Sequence, residues 1–289
     1  MEFAIRILVP RPLTSSDCGE LFLKALVKHF PGHLPRRYGA VEPLRNVFMA
    51  ERLDFALKEW GQLYFMASDA EDVLLQVDFG APKSARPRHV SIAFSFPSER
   101  EEDLARVTQF VYEICETFRA DYAMAHILTE KELSERLEEK LLHPTSPPEP
   151  PVEQIVEKLR DAARRKGFAA VLKGLAIIGL GTHRLIKYLP DLYWLNVFGL
   201  PYVEIFGQDK LRTTPAEEVV ALSYGGVALK LTRILRDTTE EWSEYKAVRQ
   251  KCKCHLDSNV FFDRAAPLKH SYRVPKFRFP SEMYRQPLM

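Results

Sequence analysis

The chain has 289 residues, 46% of them hydrophobic, and its 41 Lys plus Arg nearly balance 39 Asp plus Glu, for a net charge of +2. This length and composition exclude a disordered chain and suit one large core or two modest ones. The near-neutral field gives no electrostatic reason to expect general nucleic-acid binding.

The amino terminus lacks the basic start and small-residue cleavage site of a secretory signal. Residues 3–9 form an apolar run of strand length. Asp17 and Glu20 then have the spacing of a helix-start capping box, which predicts a helix to about His29. A glycine- and proline-punctuated phrase, Arg37-Tyr38-Gly39 with Glu42-Pro43-Leu44, follows. Residues 47–60 carry Phe48, Arg52, Phe55 and Trp60 at helical spacing. Strands are expected at 62–67, at 72–79 with Val73, Leu75, Val77 and Phe79 on one side, and at 89–96 with Val90, Ile92, Phe94 and Phe96 on one side. Ser98 and Glu101 make a second capping box, and Leu104, Val107, Phe110, Val111, Ile114 and Phe118 trace one face of a long helix. Residues 122–128 read as a returning strand, and Thr129 with Glu132 opens another helix.

Residues 144–151 are rich in proline, which lacks an amide donor and restricts its neighbours to extended conformations. They divide the chain into an N-terminal half at 1–143, a linker at 144–151, a C-terminal half at 152–263 and a basic aromatic tail at 264–289. Beyond the linker, 151–166 reads as a charged helix, and the apolar stretch 167–181 fits either helix or buried connection. Its apolar part is broken by Lys173 and Gly174 and falls short of the roughly 20 residues that cross a bilayer, which implies a cytoplasmic protein without a membrane partner. A strand at 193–198, a short helix at 201–211, a hairpin of 219–224 and 227–232 around Gly225-Gly226, and a last helix from Thr238 displaying Trp242, Tyr245, Val248 and Cys252 complete the order. The expected class is α+β, mainly antiparallel sheet with packed helices, with the order strand, helix, hairpin, helix on both sides of the prolines.

No residue set has the types and spacing of a catalytic, cofactor-binding or metal site. Cys252-Lys253-Cys254-His255 offers zinc-type donors, yet the cysteine spacing is tight and no second Cys or His pair lies nearby. Cys252 also continues the apolar face of the last helix as a small hydrophobe. A thiol nucleophile would need His255 as a base within hydrogen-bond reach. Four cysteines scattered through a long chain suit reduced thiols. Gly174, Gly179 and Gly181 lack the order that cradles phosphate. Asp69, Glu71 and Asp72 read as a polar turn, and Glu240 and Glu241 favour a helix amino terminus. The tail interleaves Arg264, Lys269, Arg273, Lys276, Arg278 and Arg285 with aromatic residues, and without the signature of a nucleic-acid module it is expected to pack across its own domain. Glu135, Glu138 and Glu139 give the helix after Thr129 an exposed acidic face and are the candidate partner contacts.

The phrase Arg37-Tyr38-Gly39 with Glu42-Pro43-Leu44, and later Trp194-Leu195-Asn196-Val197-Phe198-Gly199 with Tyr202-Val203 and Gly207, resembles bacterial polymorphic-toxin immunity proteins, the immunity protein 52 family and its relatives associated with type VI secretion. The resemblance covers roughly residues 3–260 in the order of elements. It implies a cytoplasmic antidote that binds one cognate toxin and blocks it, with no catalysis and no cofactor. Each matching residue also has a structural explanation, Gly39 and Gly199 as turns and Pro43 as a bend. An adaptor subunit of a secretion or phage-like assembly and a thiol-dependent enzyme are the alternative readings.

Overall fold

The computed structural model describes residues 2–41, 43–62, 64–68, 73–80, 87–98, 100–128, 189, 191–234, 238–261 and 273–281. In chain order these form β1 (Glu2–Val9), α1 (Ser16–His29), β2 (Arg37–Gly39), β3 (Asn46–Val47), α2 (Leu53–Leu57), β4 (Tyr64–Ser68), β5 (Leu74–Asp78), β6 (Val90–Pro97), α3 (Glu102–Phe118) and β7 (Tyr122–Leu128). After the prolines come β8 (Leu195–Phe198), α4 (Leu200–Phe206), α5 (Gln208–Arg212), β9 (Glu218–Ala221), β10 (Val227–Lys230) and α6 (Thr239–Leu256). The helix expected after Thr129, the charged helix at 151–166, the apolar stretch 167–181, the turn at 69–72 and the expected boundaries at 143, 151 and 263 lie outside the described residues.

The ten strands form one sheet in the order β3-β2-β4-β5-β6-β1-β7-β8-β10-β9, with every neighbouring pair antiparallel. The α+β class with a mainly antiparallel sheet is therefore the observed one. Strands from both sides of the prolines meet where β7 pairs with β8, Tyr122 opposite Phe198 and Ala125 opposite Leu195. One hydrophobic cluster runs through both parts.

The register explains how a single sheet serves two helical layers. On its first face one row reads Phe65, Val77, Ile92, Ile7, Ala123 and Val197, and all six side chains are buried. Here α1 and α3 pack through Phe22, Phe30 and Phe110, with Phe30 5.1 Å from Phe94 and 5.0 Å from Phe96 between ring centroids. On the second face a parallel row reads Tyr64, Asp78, Ser91, Leu8, Tyr122 and Phe198. There α4 covers the β7 and β8 end, with Tyr202 5.6 Å from both Tyr122 and Phe198, while Tyr245 of α6 lies 5.6 Å from His126. The β4, β5 and β6 end of this face keeps Tyr64, Met66, Leu74 and Gln76 half-buried. Burial alternates with period two in β4, β5 and the second half of β6, where one face is only partly covered, whereas residues 3–9 of β1 apart from Arg6 and residues 122–127 of β7, in the middle of the sheet, are buried on both faces.

Several expectations are corrected. Residues 47–60 do not form one helix: Phe48 donates its backbone N–H to Arg36 O, which holds this stretch beside β2, and only Leu53–Leu57 is helical. Trp60 instead wedges between Phe65 and Phe79 and donates Nε1–H to Leu13 O at 2.6 Å, so the helical spacing reports burial on the sheet. The cap of α1 is Ser15, whose hydroxyl accepts from Cys18 N, and Asp17 sits in the first turn. Ser98 does not cap α3: it donates to the buried Asp103 carboxylate and accepts from Arg100 N. Thr238 does cap α6, accepting from Glu241 N at 3.3 Å. The single helix expected at 201–211 is two, broken where Gly207 adopts φ +84°.

Candidate functional site

Tyr38 and the stretch Trp194 to Phe198 of the two phrases are buried, whereas Arg37 and Pro43 are exposed. Tyr38 is buried on β2, stacked on Phe65 at 5.9 Å. Trp194 is fully buried, donating its indole N–H to Thr232 O at 2.9 Å and its backbone N–H to His126 Nδ1 at 3.2 Å. Asn196 is also buried and closes on its own chain: its Oδ1 accepts from Tyr193 N and its Nδ2 donates to Tyr193 O. Burying a primary amide is tolerable only with such partners. Gly199 is not a turn glycine. Its φ of −77° is open to any residue, but an added Cβ would lie 2.2 Å from Ala120 O and 2.7 Å from Asp121 Cα. Close approach of two backbones is what requires it. At Gly39 the nearest atoms stand 3.6 Å from an added Cβ, so no turn or contact requires glycine there.

Glu135, Glu138 and Glu139 lie outside the described residues. The thiols at the end of α6 do not meet the imidazole beside them. Cys252 is buried with its S–H directed at Pro215 O, and burial pushes the thiol up to about 11. Cys254 is exposed and 3.4 Å from Gln250 Nε2. The His255 ring nitrogen lies 2.9 Å from Lys210 O, so it donates to the end of α5. Among the described residues no group of three or more His, Cys, Asp or Glu is placed to hold a metal ion.

Two clusters resemble catalytic sets and have structural work instead. Ser98, Asp103 and His33 share one carboxylate oxygen, with His33 Nε2 3.1 Å from Asp103 Oδ2 and Arg106 donating to Oδ1. Ser98 donates to the carboxylate and not to the imidazole, so the serine–histidine hydrogen bond of a nucleophile and its base is not formed. Burial would raise the Asp103 carboxyl, but the hydrogen bonds from Ser98 and His33 hold it below its usual value. His89 pairs with Asp121 at 2.9 Å under the tail, where Phe277 and Phe279 stand 4.5 and 5.0 Å from its ring. Phe277 also reaches Tyr202, and Arg273 donates to Asp257 and to Ile205 O. This part of the tail packs across its own domain, as its aromatic residues suggested.

Among the described residues a groove of about 400 Å³ opens on the first face between α3 and the strands β9 and β10. One wall is α3, through Leu104, Thr108 and Tyr112; the other is Glu218 on β9, Lys230 on β10, Arg233 and Ile234, with Trp194 at the base. The register places Lys230 and Glu218 opposite each other in the row that begins Ala67, Leu75, Phe94 and Ile5, and they form an ion pair. The Tyr112 hydroxyl is buried without a hydrogen-bond partner, and burial raises its pKa well above the phenol range. Arg233 is exposed. Among the described residues β9 is the last strand of the sheet, an edge position. The groove combines an aromatic hydroxyl, a guanidinium, an ion pair and a strand edge, a set suited to holding an inserted peptide segment. Sequence reading passed over it, although two charges at inward positions of paired strands, Glu218 and Lys230, were a visible signal.

No family model matches the chain, and no curated protein matches it. Among solved structures, the Pseudomonas aeruginosa T6SS protein PA0821 is similar at a TM-score of 0.48 and 13% identity, over 86% of this chain and 72% of that one. No helix among the described residues is long and apolar enough to cross a membrane.

Proposed function

We propose that this protein is an immunity protein that binds one cognate bacterial toxin in the cytoplasm and blocks it by steric occlusion, without chemistry of its own. The phrases around Tyr38 and Trp194 that resemble polymorphic-toxin immunity proteins support it, and the burial of Tyr38, Trp194, Asn196 and Phe198 fits a role in building a common scaffold. The observation that carries the reading is the groove beside β9, where Tyr112 and Arg233 supply residue types that anchor protein interfaces. A complex of standard size would bury on the order of 1,600 Å², far more than the groove, so the acidic residues Glu135, Glu138 and Glu139 are a proposed second contact.

The test is co-purification and calorimetry with the product of an adjacent toxin-domain gene, followed by rescue of cells expressing that toxin. Tyr112→Ala and Arg233→Glu are expected to weaken binding by about thirtyfold each with an unchanged far-ultraviolet spectrum. Binding that survives both substitutions would exclude the groove. Failure to bind or neutralise any adjacent toxin would exclude the antidote reading.

A further inference from the structure

On the second face, Arg6 is a partly buried cation with an incomplete set of partners. Its Nη2 donates to Ser91 Oγ at 3.1 Å, and its Nε is buried without a hydrogen-bond partner. Asp78, the carboxylate that acts on it electrostatically, is engaged elsewhere, accepting from Arg88 and from Gly80 N. The sheet brings a second unsatisfied group beside Arg6. Tyr122 lies opposite Leu8, two residues along β1 and on the same face, and its hydroxyl is buried without a partner. Arg6 stands opposite Met124 and Leu8 opposite Tyr122, so Arg6 and Tyr122 are diagonal neighbours on adjacent strands of one face. A buried guanidinium normally meets a carboxylate or phosphate, because solvent no longer balances its charge. Burial also lowers the pKa of this guanidinium, the direction expected of a cation that has lost water without gaining a full counter-charge.

Arg6 itself is only half-buried, while the Tyr122 ring lies under α4. Helices α4 and α6 cover the β7 and β8 side of this face, whereas Gln76, Ala93 and Ser95 beside Arg6 are only half-buried. Arg6 therefore stands at the step between covered and open sheet.

We propose that this step binds a small oxyanion, a phosphate or a carboxylate, held by the Arg6 guanidinium with the Tyr122 hydroxyl as a second donor. Planar guanidinium hydrogen bonds match either anion, and a phenol adds a neutral donor without a competing charge. The site is separate from the groove beside β9 and independent of toxin binding.

The experiment titrates the purified full-length chain with inorganic phosphate and separately with acetate, against chloride at equal ionic strength, reading thermal stability and calorimetric binding. Saturable stabilisation is expected with one anion or both; phosphate alone identifies a phosphate-type site and acetate alone a carboxylate site. Arg6→Gln and Tyr122→Phe are each expected to weaken that binding by about tenfold. Tyr122→Phe keeps the ring packing and removes only the unsatisfied hydroxyl, so without anion it is expected to be at least as stable as the parent. The proposal is overturned if neither anion binds the parent chain, or if Tyr122→Phe and Arg6→Gln bind as tightly as the parent.

Discussion

Replacing Gly199 by Ala tests whether the Trp194 to Gly199 phrase specifies backbone packing. The amide of Gly199 donates to Asp121 O at 2.9 Å, which ties the start of α4 to the start of β7. A methyl group there would meet Ala120 O at 2.2 Å and Asp121 O at 2.9 Å, both backbone atoms that no rotamer change can move. Overpacking typically costs about 1 to 3 kcal/mol, and a clash with main chain belongs at the upper end, so about 3 kcal/mol is expected. In a chain of this size each kcal/mol lowers the melting temperature by about 2 °C, which predicts a fall of about 6 °C. Gly39→Ala is the internal control, since its added methyl makes only ordinary contacts at 3.6 Å; a change within about 0.5 kcal/mol is expected. Urea unfolding followed by tryptophan fluorescence measures both. The reasoning is refuted if Gly199→Ala costs under about 1 kcal/mol, or if the two substitutions are equally damaging.

Asp103→Asn removes a buried carboxylate from Ser98, His33 and Arg106, and a loss of about 2 to 3 kcal/mol is expected at neutral pH. Because the folded carboxyl is depressed, its stabilisation is present above the ordinary value of 3.8 and disappears as pH falls through the folded value. The gap between parent and variant in unfolding experiments should therefore close in acid, and a gap independent of pH would contradict the ion-pair account. Thiol labelling in the folded protein should modify exposed Cys254 first and leave Cys115 and Cys252 unreacted until unfolding, since both are buried and burial raises each thiol. Early labelling of Cys252 would show that the end of α6 opens readily. Phe277→Ala withdraws the ring that lies against His89 and Tyr202, and faster proteolysis across 273–281 with a stability loss of about 1 to 2 kcal/mol is expected. Unchanged cleavage would mean that Arg273 holds this segment without it.

The strands were legible because their apolar residues alternate: Val73, Leu75, Val77 and Phe79, and again Val90, Ile92, Phe94 and Phe96, are the buried set. The face of α3 was legible for the same reason at helical period, as its six expected residues are all buried. Where aromatic spacing arose from packing instead of winding, as at Phe48 and Trp60, periodicity misled. Gly199 was misassigned because a glycine in a sequence does not say whether it supplies a dihedral angle or an absence of volume.

The amino-acid order by itself determined the class of the fold, its longer strands and the helices at α1, α3 and α6, because burial imposes a period on each local segment, whereas the short strands β2 and β3 left no such period. Tertiary structure decided the rest. Only the pairing of β7 with β8 shows that chain on both sides of the prolines builds one sheet, and only its register sets Lys230 and Glu218 beside Tyr112, and Arg6 beside Tyr122. These juxtapositions join residues far apart in sequence, where local periodicity carries no information and the geometry of strand pairing carries all of it.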